Sequence, residues 1–423
     1  MTIQLPADDL RLTVDPQCRL FHVGVPKTGT TALQRTAAGQ RDRLLELGVL
    51  YPDRRTTNHR KATFAFTDRP VSWSGPSAVV PDKLRWTRLL AEIKADAENR
   101  VWLSNENLSE EPEDRLRELL DAVGGSQHVV LTMRSLPAQL ASAWQQYLKS
   151  GVFSTFEYWL ERVLSDVPDP PITPSFKARS DLGGIVEKWA RLVGEDQVTV
   201  VVLDPANRAL VPRTFETLLG LPTGLLDAQL EGSDLNRSMT FAEAELIRSI
   251  NEVVRDRDEV DWGDYQRFIR DGAIDQMLKT RDPGAAEAPI VPPTWAVDRA
   301  VALAEIQIDR IAATNVRLVG DLSHLAARVP SVERMQPPEV VPVDAAREAL
   351  LAVLSTGLGR GPDFGPLKAT RGGRAVARAK TSNAHLHLQQ LRTRTLVKAL
   401  AARVVRAGRR RLTRGRQRDA PQA

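Results

Sequence analysis

Strand-like and helix-like patterns alternate through most of this chain, and its strand-like runs are almost continuously apolar. Together these features predict an α/β fold of three layers, with a central parallel sheet covered by helices on both faces. A third feature is "GVPKTGTT" (24–31), a glycine-containing loop that leaves a strand and opens a helix in the manner of a P-loop. In a sheet of this kind ligands bind beyond the carboxyl ends of the strands, where this loop falls.

The elements follow in order. "CRLFHVGV" (18–25) reads as a buried strand. Leu33, Ala37, Gln40, Leu44 and Leu47 then recur at helical spacing and Gly48 supplies a stop. A helical run over 82–97 leads to the short strand "RVWLSNE" (100–106), and "EDRLRELLDAVGG" is a helix closed by glycines. The strand "HVVLTMR" (128–134) precedes a helix that Pro137 opens and that is read through Gly151, with Trp144, Tyr147 and Leu148 as core positions. Leu182, Ile185, Val186, Trp189 and Leu192 make another helical stripe before the strand "QVTVVVLD" (197–204).

Proline-rich breaks fall at 168–174, 288–295 and 334–344. The last is read as a boundary, with an α/β domain over 15–330, a linker over 331–359 and a basic extension over 360–423 that is partly helical or disordered.

Composition narrows the function classes. The 423 residues are 42% hydrophobic and 26% charged, ordinary values for a soluble protein. No run approaches the roughly 18 apolar residues of a membrane span, and the first residues lack the pattern of a secretory signal. Cys18 is the only cysteine, which excludes an intrachain disulfide and a multi-cysteine zinc site. A reduced, cytoplasmic protein that needs no metal is the expectation. Residues 360–423 hold 17 of the 58 basic and 2 of the 53 acidic side chains, so the basic balance belongs to the tail and residues 1–359 carry a net charge of −10.

The loop departs from a kinase P-loop in one respect. Gly24 and Gly29 have the G-x-x-x-x-G separation and Thr31 the hydroxyl position, but Thr30 stands where lysine belongs and Lys27 lies inside the loop. No acidic strand end pairs with it to hold magnesium. Arg134 ends one strand and Ser142 follows eight residues on, a second place for a phosphate, since arginine suits bidentate contact. Taken singly, Arg134 is also explained as a partner of a surface carboxylate and Ser142 as a polar helix position. "NRSMTFAEAELIRSIN" sets Arg237 before a helix opened by a Thr240–Glu243 capping box; it reads equally as a phosphate contact and as a plain helix cap.

"PKTGTT" with Arg134 and Ser142 resembles the nucleotide site of sulfotransferases that use 3′-phosphoadenosine 5′-phosphosulfate (PAPS), over roughly residues 15–325. The resemblance implies transfer of a sulfuryl group to an acceptor hydroxyl without a metal, leaving adenosine 3′,5′-bisphosphate. It assigns Lys27 to the bridging oxygen and leaving phosphate. It gives the 5′-phosphate to Gly29, Thr30 and Thr31, with Thr28 and Ala32 also counted as cofactor-binding, and the 3′-phosphate to Arg134 and Ser142, with Arg237 as a weaker third phosphate contact. The Arg-Lys-Gly segment of cytosolic members is missing, which places the chain nearer the bacterial, carbohydrate-directed branch. No adenine-stacking aromatic can be assigned.

In such enzymes the base stands at the end of the strand after the loop, and here that residue is Glu106. Its alternative role is to cap a turn, and His59 is the rival base. The acceptor class implied is a carbohydrate or glycolipid hydroxyl. Leu396, Leu400 and Val404 recur beside clustered arginines in the tail, which suits a solvated segment or an anionic membrane surface on the inner face, and nucleic acid less. A nucleotide kinase and a non-catalytic nucleotide-binding relative are the other classes open to this sequence.

Overall fold

In the computed structural model the described residues are 12–25, 28–71, 79–165, 174–227, 237–255, 257, 260–358 and 385–387. They form an α/β protein built on a six-stranded sheet. The strands are β1 (Arg19–Gly24), β2 (Val49–Leu50), β3 (Arg100–Ser104), β4 (Gln127–Met133), β5 (Val198–Val202) and β6 (Arg317–Val319). Their spatial order is β2-β3-β1-β4-β5-β6, and every pairing is parallel. The order turns about β1, with β3 on one side and β4 on the other, so the carboxyl ends of these three strands line a topological switch point.

Period-two alternation sorts the strand residues onto two faces. Phe21, Val23, Val101, Leu103, Val129, Leu131, Val198 and Val200 pack in one cluster with Leu89, Ile93, Leu116, Leu120, Ile185 and Trp189 from helices. Leu20, Trp102, Val130 and Val201 point the other way, against Leu33, Ala37, Leu44, Phe215 and Leu218. A sheet buried on both faces explains why its strands read as continuous apolar runs.

The chain divides into two compact units. The first takes 1–144, 156–234 and 291–334 and holds the sheet; the second takes 145–155, 235–290 and 335–423. Around Tyr265–Ile274, a π-helix, the second unit gathers the helices Phe241–Arg255, Asp275–Thr280 and Val343–Gly357. The capping box is present: Thr240 Oγ1 accepts the Glu243 N–H at 3.2 Å, and Glu243 accepts the Thr240 N–H at 2.9 Å.

Several boundaries differ from the sequence reading. The first helical stretch is two helices, Thr30–Gly39 and Arg41–Glu46, broken at Gln40. β3 ends at Ser104, and Glu106 opens a 3₁₀ turn over Glu106–Glu110 because the Asn105 side chain accepts the Asn107 N–H and bends the chain. The helix after Pro137 ends at Leu148. The stretch 331–359, read as a linker, holds the helix Val343–Gly357, whose Ala345, Ala349, Ala352 and Val353 are buried. Val340–Pro342 pairs antiparallel with His385–His387, a strand the sequence did not signal. The rest of the basic extension lies outside the described residues.

Gly24 shows how closely β1 and β4 approach. A Cβ there would come within 2.4 Å of Thr132 Oγ1 and 2.5 Å of the Thr132 carbonyl, and its φ is +154°. Gly24→Ala is expected to destabilise the protein by about 3 kcal/mol, the combined cost of overpacking and a disfavoured backbone; a urea midpoint equal to that of the wild type would contradict this packing.

Candidate functional site

The site is assembled where β1, β3 and β4 end. Val25 extends β1, its N–H donating to the Thr132 carbonyl at 3.0 Å. Pro26 and Lys27 lie outside the described residues, and the chain resumes at Thr28. Gly29, at φ +79°, stands at the N-cap of Thr30–Gly39, where a left-handed residue lets the backbone turn from the strand into the helix. With no side chain on Gly29 to cap it, the helix leaves its first amides to whatever lies beyond.

The loop hydroxyls divide into inner and outer. Thr28 is buried, and its Oγ1 donates to the Val25 carbonyl at 3.0 Å while contacting Thr30 Oγ1 at 3.0 Å and Thr132 Oγ1 at 2.9 Å. Thr30 is buried beside it, whereas Thr31 is exposed. Among the described loop residues Gly29 and Thr31 are the exposed ones, and the Thr28 hydroxyl is a fastener between loop and sheet. Ala32 lies in the first helical turn, its N–H donating to the Gly29 carbonyl at 3.1 Å.

The fastener belongs to a longer buried series. Thr132 Oγ1 lies 3.4 Å from His22 Nε2, and His22 Nδ1 lies 2.9 Å from Ser104 Oγ. Gln34 Nε2 donates to Ser104 Oγ at 2.9 Å and to Glu106 Oε2 at 3.2 Å, while its Oε1 accepts from Asn58 Nδ2 at 3.3 Å. His22 is fully buried, against the Phe215 ring at 4.7 Å, and desolvation drives its pKa down to about 3, so it is neutral. Glu106 is half-buried just past β3 and is held by Gln34, which lies on the helix that the loop opens.

The neighbouring carboxylates are committed elsewhere. Glu110 is held by Arg69 and Arg179, and Glu111 by Arg69 at 3.1 Å. His59 is buried with both ring nitrogens on backbone: Nδ1 accepts the Ser104 N–H at 2.9 Å, and Nε2–H donates to the Pro52 carbonyl at 3.0 Å. Burial lowers its pKa to about 4, and neither nitrogen is left to take a substrate proton.

Arg134 stands one residue beyond β4, two residues from Thr132. Its Nη2 donates to the Ala138 carbonyl at 3.1 Å, the carbonyl that in helical geometry faces the Ser142 N–H. The guanidinium thus lies along the face that Ala138 and Ser142 share, four residues apart. Ser142 Oγ donates to the Gln139 carbonyl at 3.0 Å, a bond a hydroxyl can exchange for a ligand. Desolvation lowers the Arg134 pKa, which still leaves a permanent cation. Trp144 and Leu148 are core, as read from the sequence, whereas Tyr147, read with them, is only half-buried.

Arg237 belongs to the second unit. Its guanidinium donates to both Glu243 oxygens at 2.7 Å and to the Arg281 carbonyl at 3.2 Å. A phosphate there would have to compete with a buried carboxylate.

The described structure therefore brings together Thr28, Gly29, Thr30, Thr31, Ala32 and Glu106, with Arg134 just past the adjacent strand end and Ser142 within the helix that follows it. The sequence reading missed Gln34, His22, Ser104 and Thr132. Two signals were there: Gln34 lies one helical turn after Thr30, and His22 interrupts an otherwise apolar strand.

Among solved structures, the chain is similar to a sulfotransferase from Alicyclobacillus acidocaldarius, at 17% identity over 57% of this chain and 96% of that one, with a TM-score of 0.36. No family model and no curated protein matches the chain. Among the described residues no group of three or more His, Cys, Asp or Glu side chains could hold a metal, and no helix is long and apolar enough to cross a membrane.

Three buried neutral histidines set a pH dependence. His22, His59 and His128 have folded pKa values lowered to about 3, 4 and 4, each chiefly by desolvation. Their stabilising effect is whole above the unfolded value near 6.5 and is lost as pH falls toward the folded values, because the unfolded chain takes up protons first. Each is expected to cost about 2 kcal/mol between pH 7 and pH 5. Urea titrations at pH 7, 6 and 5 measure this, and a flat profile would mean that these rings accept protons inside the fold.

Proposed function

We infer that this protein is a PAPS-dependent sulfotransferase acting on an acceptor hydroxyl. The observation that carries the reading is the contact between Thr28 and Thr132, which ties the anion loop after β1 to the strand that Arg134 follows. A nucleotide with phosphate groups at two separate positions needs two anion sites close together, and groups at adjacent parallel strand ends would supply them. The residues present fit such a group. Gly29 leaves open space where a Cβ would stand, and the first amides of an uncapped helix favour an anion.

PAPS would supply the sulfuryl group. The loop amides and Thr31 would receive the 5′-phosphate, and Arg134 with Ser142 the 3′-phosphate. Glu106 would take the acceptor's proton as its oxygen attacks sulfur, opposite the breaking bond to the phosphate. Lys27 is assigned, by its sequence position alone, to the charge that develops on the leaving phosphate. Gln34 supports the base assignment because it holds the carboxylate from the helix that the loop opens, and His59 has no free nitrogen for that role.

A carbohydrate or glycolipid acceptor belongs to this reading as its substrate class, motivated by a carboxylate base. Attachment of the basic tail to an anionic membrane surface is the matching proposal for location. Both rest on sequence.

The nucleotide is tested before the acceptor. In metal-free calorimetry, adenosine 3′,5′-bisphosphate is expected to bind at least about tenfold more tightly than 5′-AMP, and Arg134→Ala to erase that difference. Equal binding of the two nucleotides by the wild type would overturn the assignment. Once an acceptor is in hand, Glu106→Gln is expected to lower kcat about a hundredfold or more while leaving bisphosphate affinity unchanged.

A further inference from the structure

The buried series between Glu106 and the loop has a direction. Gln34 can only donate through Nε2, so Ser104 Oγ accepts from it. If His22 carries its proton on Nε2, the Ser104 O–H donates to Nδ1, His22 donates to Thr132, and Thr132 donates to Thr28. Thr28 has its own proton on the Val25 carbonyl and accepts Thr132 and Thr30 together. The other tautomer spends the Thr132 proton on His22 and leaves the Ser104 proton with none of these acceptors. One tautomer satisfies every contact, and all five residues from Gln34 to Thr28 are at most 2% exposed.

The geometry points to His22 and Ser104 as positioning residues for the phosphate loop, setting the donor direction that holds Thr28, and through it the loop, against the sheet. This rests on the nucleotide reading of the loop. Ser104 ends β3 and His22 lies inside β1, so both act through Thr132 and Thr28. Gln34 heads the same series and also holds Glu106, so one set of bonds orders the base and the loop relative to each other. A buried network earns its desolvation cost only when each member is paired, so removing one hydroxyl loosens the members beyond it.

The experiment measures calorimetric affinities for adenosine 3′,5′-bisphosphate, 5′-AMP and inorganic pyrophosphate, with urea midpoints beside them. Ser104→Ala is expected to weaken all three by about three- to tenfold. Ser104→Thr, which keeps the hydroxyl, should restore wild-type affinity. A purely structural role would lower the urea midpoint of Ser104→Ala and leave the affinities unchanged. Thr132→Val, nearly equal in shape, repeats the test should Ser104→Ala fail to fold. Affinities within about twofold of wild type in the folded variants overturn the inference. Equal wild-type affinity for bisphosphate and 5′-AMP, with the Ser104→Ala loss still present, overturns the sulfotransferase reading and keeps the positioning role. Binding of none of the three by the wild type removes both.

Discussion

The contact between Thr28 and Thr132 is the point where the loop meets the sheet, and the rest of the site is arranged around keeping it. The carboxyl end of β1 is enclosed by β3, β4 and Phe215, so any polar group placed there needs a partner or costs about 1–3 kcal/mol. Thr28, Thr132, His22, Ser104 and Gln34 meet that need by serving one another. The same constraint explains Gly24, because a side chain there would displace Thr132 from the position in which it contacts Thr28.

Much of the fold was legible because its signals are local. Continuous apolar strands announced a sheet buried on both faces, and Gly29, Thr240 and Glu243 marked helix starts by turn and cap chemistry. The outer strands β2 and β6, of two and three residues, were missed as strands because they are too short for period two to show. The second unit was not legible as a unit, since it draws on 145–155, 235–290 and a helix beyond 335, segments far apart in sequence. The site divides along the same line. Loop, Arg134 and Glu106 stand in motifs or at strand ends, where sequence position implies place. Gln34, His22, Ser104 and Thr132 acquire meaning only when the register sets Ser104 beside His22 and Thr132 beside Gly24.

The buried polar groups behind the loop and those around Glu243 in the second unit are satisfied in opposite ways. In the second, Glu243 is fully buried and takes Arg237 bidentately and Arg281 at 2.7 Å, while Arg281 also reaches Glu287 and Asp344. Burial pushes the Glu243 carboxyl up, and the bonds from Arg237 and Arg281 bring it below its usual value. Such a cluster stands because nearly every oxygen and N–H is used, and removing one arginine would strand a carboxylate.

In the first unit the buried series is neutral, and this suits an anion site. A charged group at His22 would add an attractive field, but desolvation forbids the charge at any ordinary pH. Residues 1–359, with their net charge of −10, would repel a nucleotide at long range. At physiological salt that repulsion fades within about 8 Å. On the nucleotide reading, phosphate affinity would come from short-range groups at the rim, among them helix amides, Thr31 and Arg134. Donors of this kind are worth what their geometry allows, because an amide displaced from its line to a phosphate oxygen loses most of its bond. A neutral, paired series behind the loop would hold that geometry without competing for the ligand.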